Sequence, residues 1–151
     1  MRRILGWAAL MLVVPAAAHA ACSVSASGVA FGVYNPLSSS PTNFSGSVTF
    51  TCTAGSGTGP YTIALSAGGG GSFAGRKMSN GVNGMAYQLY LDAGDTRIWG
   101  DGTGGSSIFT GTDNVPVSGG GYAITVYGQI PARLAVSPGT YTDMIIVTIS
   151  Y

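Results

Sequence analysis

Beyond residue 20 no helical period survives, and apolar residues alternate with polar ones in short runs cut by glycine, serine and proline. Cys22, Val24 and Ala26 share one face; the phase breaks at Ser27-Gly28, and Val29, Phe31 and Val33 resume it. An inserted residue flips every later side chain, so a bulge or strand switch is predicted there. Val48, Phe50 and Cys52 define a second strand, and Tyr61, Ile63 and Leu65 a third. Met85, Tyr87, Leu89 and Leu91 define a fourth, with Tyr90 opposite. A short Arg97-Ile98-Trp99 segment meets the turn Gly100-Asp101-Gly102. Tyr122, Ile124 and Val126 form another strand, ended by Pro131. In the last segment, 141–151, Ile145, Val147, Ile149 and Tyr151 face one way, and Met144, Ile146, Thr148 and Ser150 the other. Some seven strands with turn-rich gaps predict an all-β, single-domain sandwich.

The start of the chain reads differently. Arg2-Arg3, an apolar run over 4–14, Pro15 and the small-residue ending Ala18-His19-Ala20 have the order of a secretory leader cut after Ala20. The run is too short to span a bilayer, and nothing apolar extends past Ala21. Domain boundaries of 1–20 for the signal peptide and 21–151 for the sandwich follow, with no membrane span after cleavage. Export places the domain in an oxidising compartment.

Cleavage changes the charge picture. The single histidine, His19, leaves with the leader, and so do Arg2 and Arg3 from a total of six Lys+Arg. The mature chain keeps Asp92, Asp95, Asp101, Asp113 and Asp143 against Arg76, Lys77, Arg97 and Arg133, and it has no glutamate. Without His or Glu, serine triads, cysteine–histidine pairs and ordinary zinc sites lack their parts, so a non-enzyme with no cofactor is expected. No basic patch points to nucleic acid or an anionic membrane.

Cys22 and Cys52 are the only cysteines. Export makes a disulfide the default reading, and loop entropy credits such a ring with roughly 3.5 kcal/mol. Lipidation of Cys22 competes with it, although His19 stands where a lipoprotein signal wants a large aliphatic residue. Gly70 to Lys77 brushes against a phosphate-binding loop but puts Arg76 in the lysine slot. Asp92, Asp95 and Asp101 invite a calcium reading, yet their spacing fits no EF-hand and turn formation explains each singly. Asn43-Phe44-Ser45 matches a short glycosylation pattern.

Two glycine-rich gaps, 67–84 and 100–121, are either solvated connections or a loop-built contact surface. Phe73, Trp99, Ile108 and Phe109 are the apolar candidates for such a surface. The final segment is apolar on both faces, and Asp143 is its one charge. It lies either at the centre of a sheet or at an edge open to β-augmentation by a partner.

Several strings together resemble the spore coat protein U domain. They are Ala21-Cys22-Ser23-Val24, Phe31-Gly32-Val33-Tyr34-Asn35-Pro36, Val48-Thr49-Phe50-Thr51-Cys52 and Arg76-Lys77-Met78. Tyr87-Gln88-Leu89-Tyr90 before Trp99-Gly100-Asp101-Gly102-Thr103, Tyr127-Gly128-Gln129-Ile130-Pro131 and the ending from Gly139 to Tyr151 complete the set. The resemblance covers essentially all of the mature chain. It implies a pilin-type, incomplete immunoglobulin-like sandwich lacking its last strand, with Cys22 and Cys52 as its disulfide. It also implies a periplasmic chaperone, an outer-membrane usher and neighbouring pilus or coat subunits as partners. The pairing edge would be Tyr141, Ile145, Val147, Ile149 and Tyr151. With only Ala21 ahead of Cys22, the chain is expected to accept a strand rather than donate one. That favours a fimbrial tip or a surface coat. The alternative is a self-contained secreted binding module that uses its glycine-rich loops and accepts no strand.

Overall fold

The computed structural model describes residues 22–52, 60–111 and 121–150. The leader expected over 1–20 and Tyr151 lie outside these residues. Among the described residues nine strands form two main sheets and a hairpin. They are β1 (Cys22–Ser27), β2 (Thr42–Cys52), β3 (Tyr61–Leu65), β4 (Lys77–Ser79), β5 (Gly84–Ala86), β6 (Gln88–Tyr90), β7 (Phe109–Gly111), β8 (Gly121–Ile130) and β9 (Val147–Ser150). A four-stranded sheet has the order β1-β2-β8-β6, a three-stranded sheet β7-β3-β9, and β4-β5 is a hairpin. Every named pairing is antiparallel. Among the described residues the only helical turn is a 3-10 turn, Gly68–Gly70.

The alternation read from the sequence is the alternation of burial. Val48 and Phe50 of β2, Tyr61, Ile63 and Leu65 of β3, Leu89 of β6 and Val126 and Ile130 of β8 are all buried. Side chains two apart share a face of a strand, so each apolar row is one wall of the core. Aromatic rings knit the walls: Phe50 sits 4.7 Å from Tyr61 and stacks on Tyr122 at 5.6 Å. Trp99 is fully buried, and its indole N–H donates to Ile63 O at 2.9 Å.

The phase break at Ser27-Gly28 is where β1 ends. Residues 28–41 form no strand, so the expected continuation over Val29–Val33 is corrected here to an irregular crossing. Val29 and Phe31 pack against Gly128, where a Cβ would lie 2.7 Å from Val29 and 2.8 Å from Phe31. The missing side chain is what admits them. Similarly, the single fourth strand of the sequence reading is split into β5 and β6, because β5 pairs with β4, a register that Tyr87 N–H to Arg76 O at 3.2 Å continues, whereas β6 pairs with β8.

Candidate functional site

The two sheets do not close on each other along one side. There the first crossing segment and the last segment of the chain flank an apolar cleft of about 370 Å³. Its floor is core: Val48, Leu65, Leu89 and Val126. One wall is residues 26–29 with Phe31, the other 143–145 with Val147. A second cleft, of about 610 Å³, continues between residues 29–34 and 136–141 and shares Val29, Phe31 and Met78 with the first.

The far wall is an open strand edge. β9 pairs with β3 in the register Leu65↔Val147 to Thr62↔Ser150, and among the described residues it has a partner strand on that side only. Ser66 N–H donates to Ile146 O at 2.9 Å, which continues the same register. In an antiparallel ladder alternate residues turn their backbone groups toward the partner. Residues 146, 148 and 150 therefore face β3, and the N–H and C=O groups of Ile145, Val147 and Ile149 face away from it, beside the cleft. Their side chains, with Tyr141, are half-buried against the core, while Met144, at 79% exposure, and Ile146, at 64%, point outward. Of the 141–151 strand expected from sequence, only 147–150 is regular. Residues 141–146 keep the alternation but carry a single bridge, Thr142↔Ser79.

Polar groups inside this region are few, and among the described residues Arg76 Nε is the one buried side-chain nitrogen or oxygen without a hydrogen-bond partner. Asp143 turns inward: Oδ2 accepts from Tyr87 OH at 2.6 Å, and Oδ1 from the N–H groups of Gly69 and Met144, both at 2.8 Å. Burial, and next the hydrogen bond to Asp143, pushes the Tyr87 phenol well above the ordinary tyrosine range. Arg76, 1% exposed, donates to Ser66 O and Trp99 O at 2.7 Å and to Gln88 Oε1 at 2.9 Å. Desolvation lowers its pKa, opposed by Tyr87 and Asp143. Arg76 thus joins the 66–76 loop to Trp99 and β6. Its structural role is not legible from the sequence, where it stands out as a misfit in a phosphate-loop pattern and as part of the family string Arg76-Lys77-Met78.

The candidate loop surface is corrected. Trp99 has no exposed area, and Phe109 packs on it at 6.0 Å and on Tyr61 at 6.2 Å, so both belong to the core. Phe73 lies under the Arg76 guanidinium, 5.5 Å from ring centre to carbon, and Ile108 is half-buried. These four do not make one exposed patch. The three acids weighed for calcium do not converge either. Asp92 accepts from the backbone of Thr96 and Arg97, Asp95 from Gln129, and Asp101 from Thr103. No described helix is long and apolar enough to cross a membrane.

The arrangement defines a class: a β-sandwich in which a strand edge without a second partner among the described residues lies beside an apolar cleft floored by the core. The chain belongs to the Spore Coat Protein U domain family, whose model matches residues 8–148. Among solved structures it resembles a chain in the crystal structure of the CsuC–CsuE chaperone–tip adhesion subunit pre-assembly complex, from the archaic chaperone–usher Csu pili of Acinetobacter baumannii. The TM-score is 0.60 at 21% identity, over 87% of this chain and 40% of that one. This chain therefore spans less than half the length of the chain it resembles. No curated protein matches it.

Proposed function

We propose that this protein is an exported, non-enzymatic structural or adhesive subunit that completes its sandwich by accepting a β-strand from another protein. The observation that carries the reading is the conjunction of the β9 edge with the cleft over Val48, Leu65, Leu89 and Val126. An incoming strand would bond to the outward-facing backbone of Ile145, Val147 and Ile149 while its alternate side chains fill the cleft. Each fully buried apolar side chain contributes about 1.5–3 kcal/mol, so a few suffice to hold the strand. Family membership and likeness to a subunit solved with its chaperone support a periplasmic chaperone as the first donor. An usher and neighbouring subunits at a fimbrial tip or in a coat would follow. The register Cys22↔Cys52 supports the disulfide, since directly paired strand residues lie within the Cα separation a disulfide needs.

The test is recovery of the protein from native periplasm with a tag at the Gly81-Val82 turn, where Val82 is 91% exposed. Copurification of a two-domain immunoglobulin-like chaperone in equal amount, lost on changing Val147, is the expected result. A stable monomer indifferent to added strand peptides would overturn it and leave a self-contained binding module.

A further inference from the structure

The acceptor edge is anchored unevenly. Its second half, 147–150, is held by the β3 ladder. Among the described residues its first half makes main-chain bonds at two points, the Thr142–Ser79 pair (2.8 and 3.0 Å) and Ser66 N–H to Ile146 O, the second reinforced by Ile146 N–H to Ser66 Oγ at 2.9 Å. Residues 143–145 between them have no ladder, yet they line the cleft together with Tyr87.

What spans the gap is a side chain. The Asp143 carboxylate gathers three donors from three places: Gly69 in the 3-10 turn, Met144 in its own segment and Tyr87 between β5 and β6. The turn is shaped to receive it. Gly68 has φ +70°, and a Cβ there would lie 2.9 Å from the carboxylate carbon and 2.9 Å from Ile145 Cδ1. Charge-assisted bonds of this kind are about twice as strong as neutral ones. A wholly apolar residue at 143 would suit the cleft better and would hold nothing.

We infer that Asp143 is a positioning residue, which pins 143–145 in the extended form that lets the edge receive a strand along its whole length rather than along β9 alone. The inference rests on strand acceptance as proposed above. It predicts that the first half of the edge loses its pairing when the carboxylate is lost, while the second half keeps it.

The experiment uses the mature protein and a synthetic peptide alternating valine and threonine, with amide hydrogen exchange read residue by residue. In the unaltered protein the peptide protects the amides of Ile145, Val147 and Ile149. In Asp143→Asn, protection at Val147 and Ile149 persists and that at Ile145 falls by about tenfold, the weight of one charge-assisted hydrogen bond. Tyr87→Phe, which leaves the last segment untouched, moves Ile145 in the same direction by less, and serves if Asp143→Asn folds poorly. A general loss of stability would lower all three amides together, which overturns the positioning role. So does full protection at Ile145 in both variants. Absence of protection anywhere in the unaltered protein overturns strand acceptance itself, and the inference with it.

Discussion

Val147→Asp separates the cost of a charge in the free subunit from its cost in the completed one. Val147 sits opposite Leu65, which is 2% exposed, and lines the cleft, but is itself only half-buried. In the free protein the new carboxylate reaches water through the open cleft, so the loss is that of partial apolar burial, about 1 kcal/mol. With a strand seated, the same carboxylate is sealed against Leu65 and Val126 with no described cation beside it. An uncompensated buried charge costs about 3–5 kcal/mol. The difference, at least about 2 kcal/mol, corresponds to a loss of binding of roughly thirtyfold or more. The matched control is Thr148→Asp, one residue on and exposed, which adds the same charge on the outer face. Melting temperature of the free protein and affinity for a strand peptide should be measured for both. Expected are small shifts in melting for both variants and a collapse of affinity for Val147→Asp alone. Equal affinity of the two variants would refute the assignment of this face to the groove.

Three further outcomes are expected. Cys22→Ser or Cys52→Ser should lower thermal stability and periplasmic yield, with about 3.5 kcal/mol at stake from the opened ring; unchanged melting under oxidising conditions would remove the disulfide. Arg76→Ala should destabilise the fold by about 2–5 kcal/mol in a denaturant titration, because it removes the donor from the buried Trp99 O and the part-buried Ser66 O, each costing about 1–3 kcal/mol. Arg76→Lys should recover little of this, since one ammonium cannot copy the guanidinium fork. Above pH 10 stability should decline: a phenol whose folded pKa lies above its unfolded value of about 10 contributes fully below that pH and loses its contribution as pH rises toward the folded value. Tyr87→Phe should flatten that decline, and a profile identical to the unaltered protein's would count against Tyr87 as its source.

The strand faces were open to reading because they depend on a local period. Tyr61, Ile63 and Leu65, or Val48 and Phe50, announce a buried face whatever lies opposite them, and the break at Ser27-Gly28 announces a change of face. The resemblance to the family was legible for a related reason, since it rests on short local strings such as Gly100-Asp101-Gly102-Thr103 taken in their order along the chain. Trp99 misled because it adjoins that turn. Its place in the chain groups the indole with the loop, whereas the fold turns it back onto Ile63, 36 residues away.

By itself, then, the sequence determined an all-β domain, the inward and outward rows of its strands, and a final segment apolar on both faces. Whether that segment stood at a centre or an edge was a matter of which strands pair. Pairing joins residues such as Leu65 and Val147 that no local pattern connects. The same holds for Asp143 and Arg76. Each reads as a surface charge in one dimension, and only the folding of distant turns around them, from Gly69 and Tyr87 or from Ser66 and Trp99, supplies the hydrogen bonds that let a charge turn inward. The open edge and its carboxylate post are decided by the tertiary structure, because both are properties of what neighbours a strand and not of what it contains.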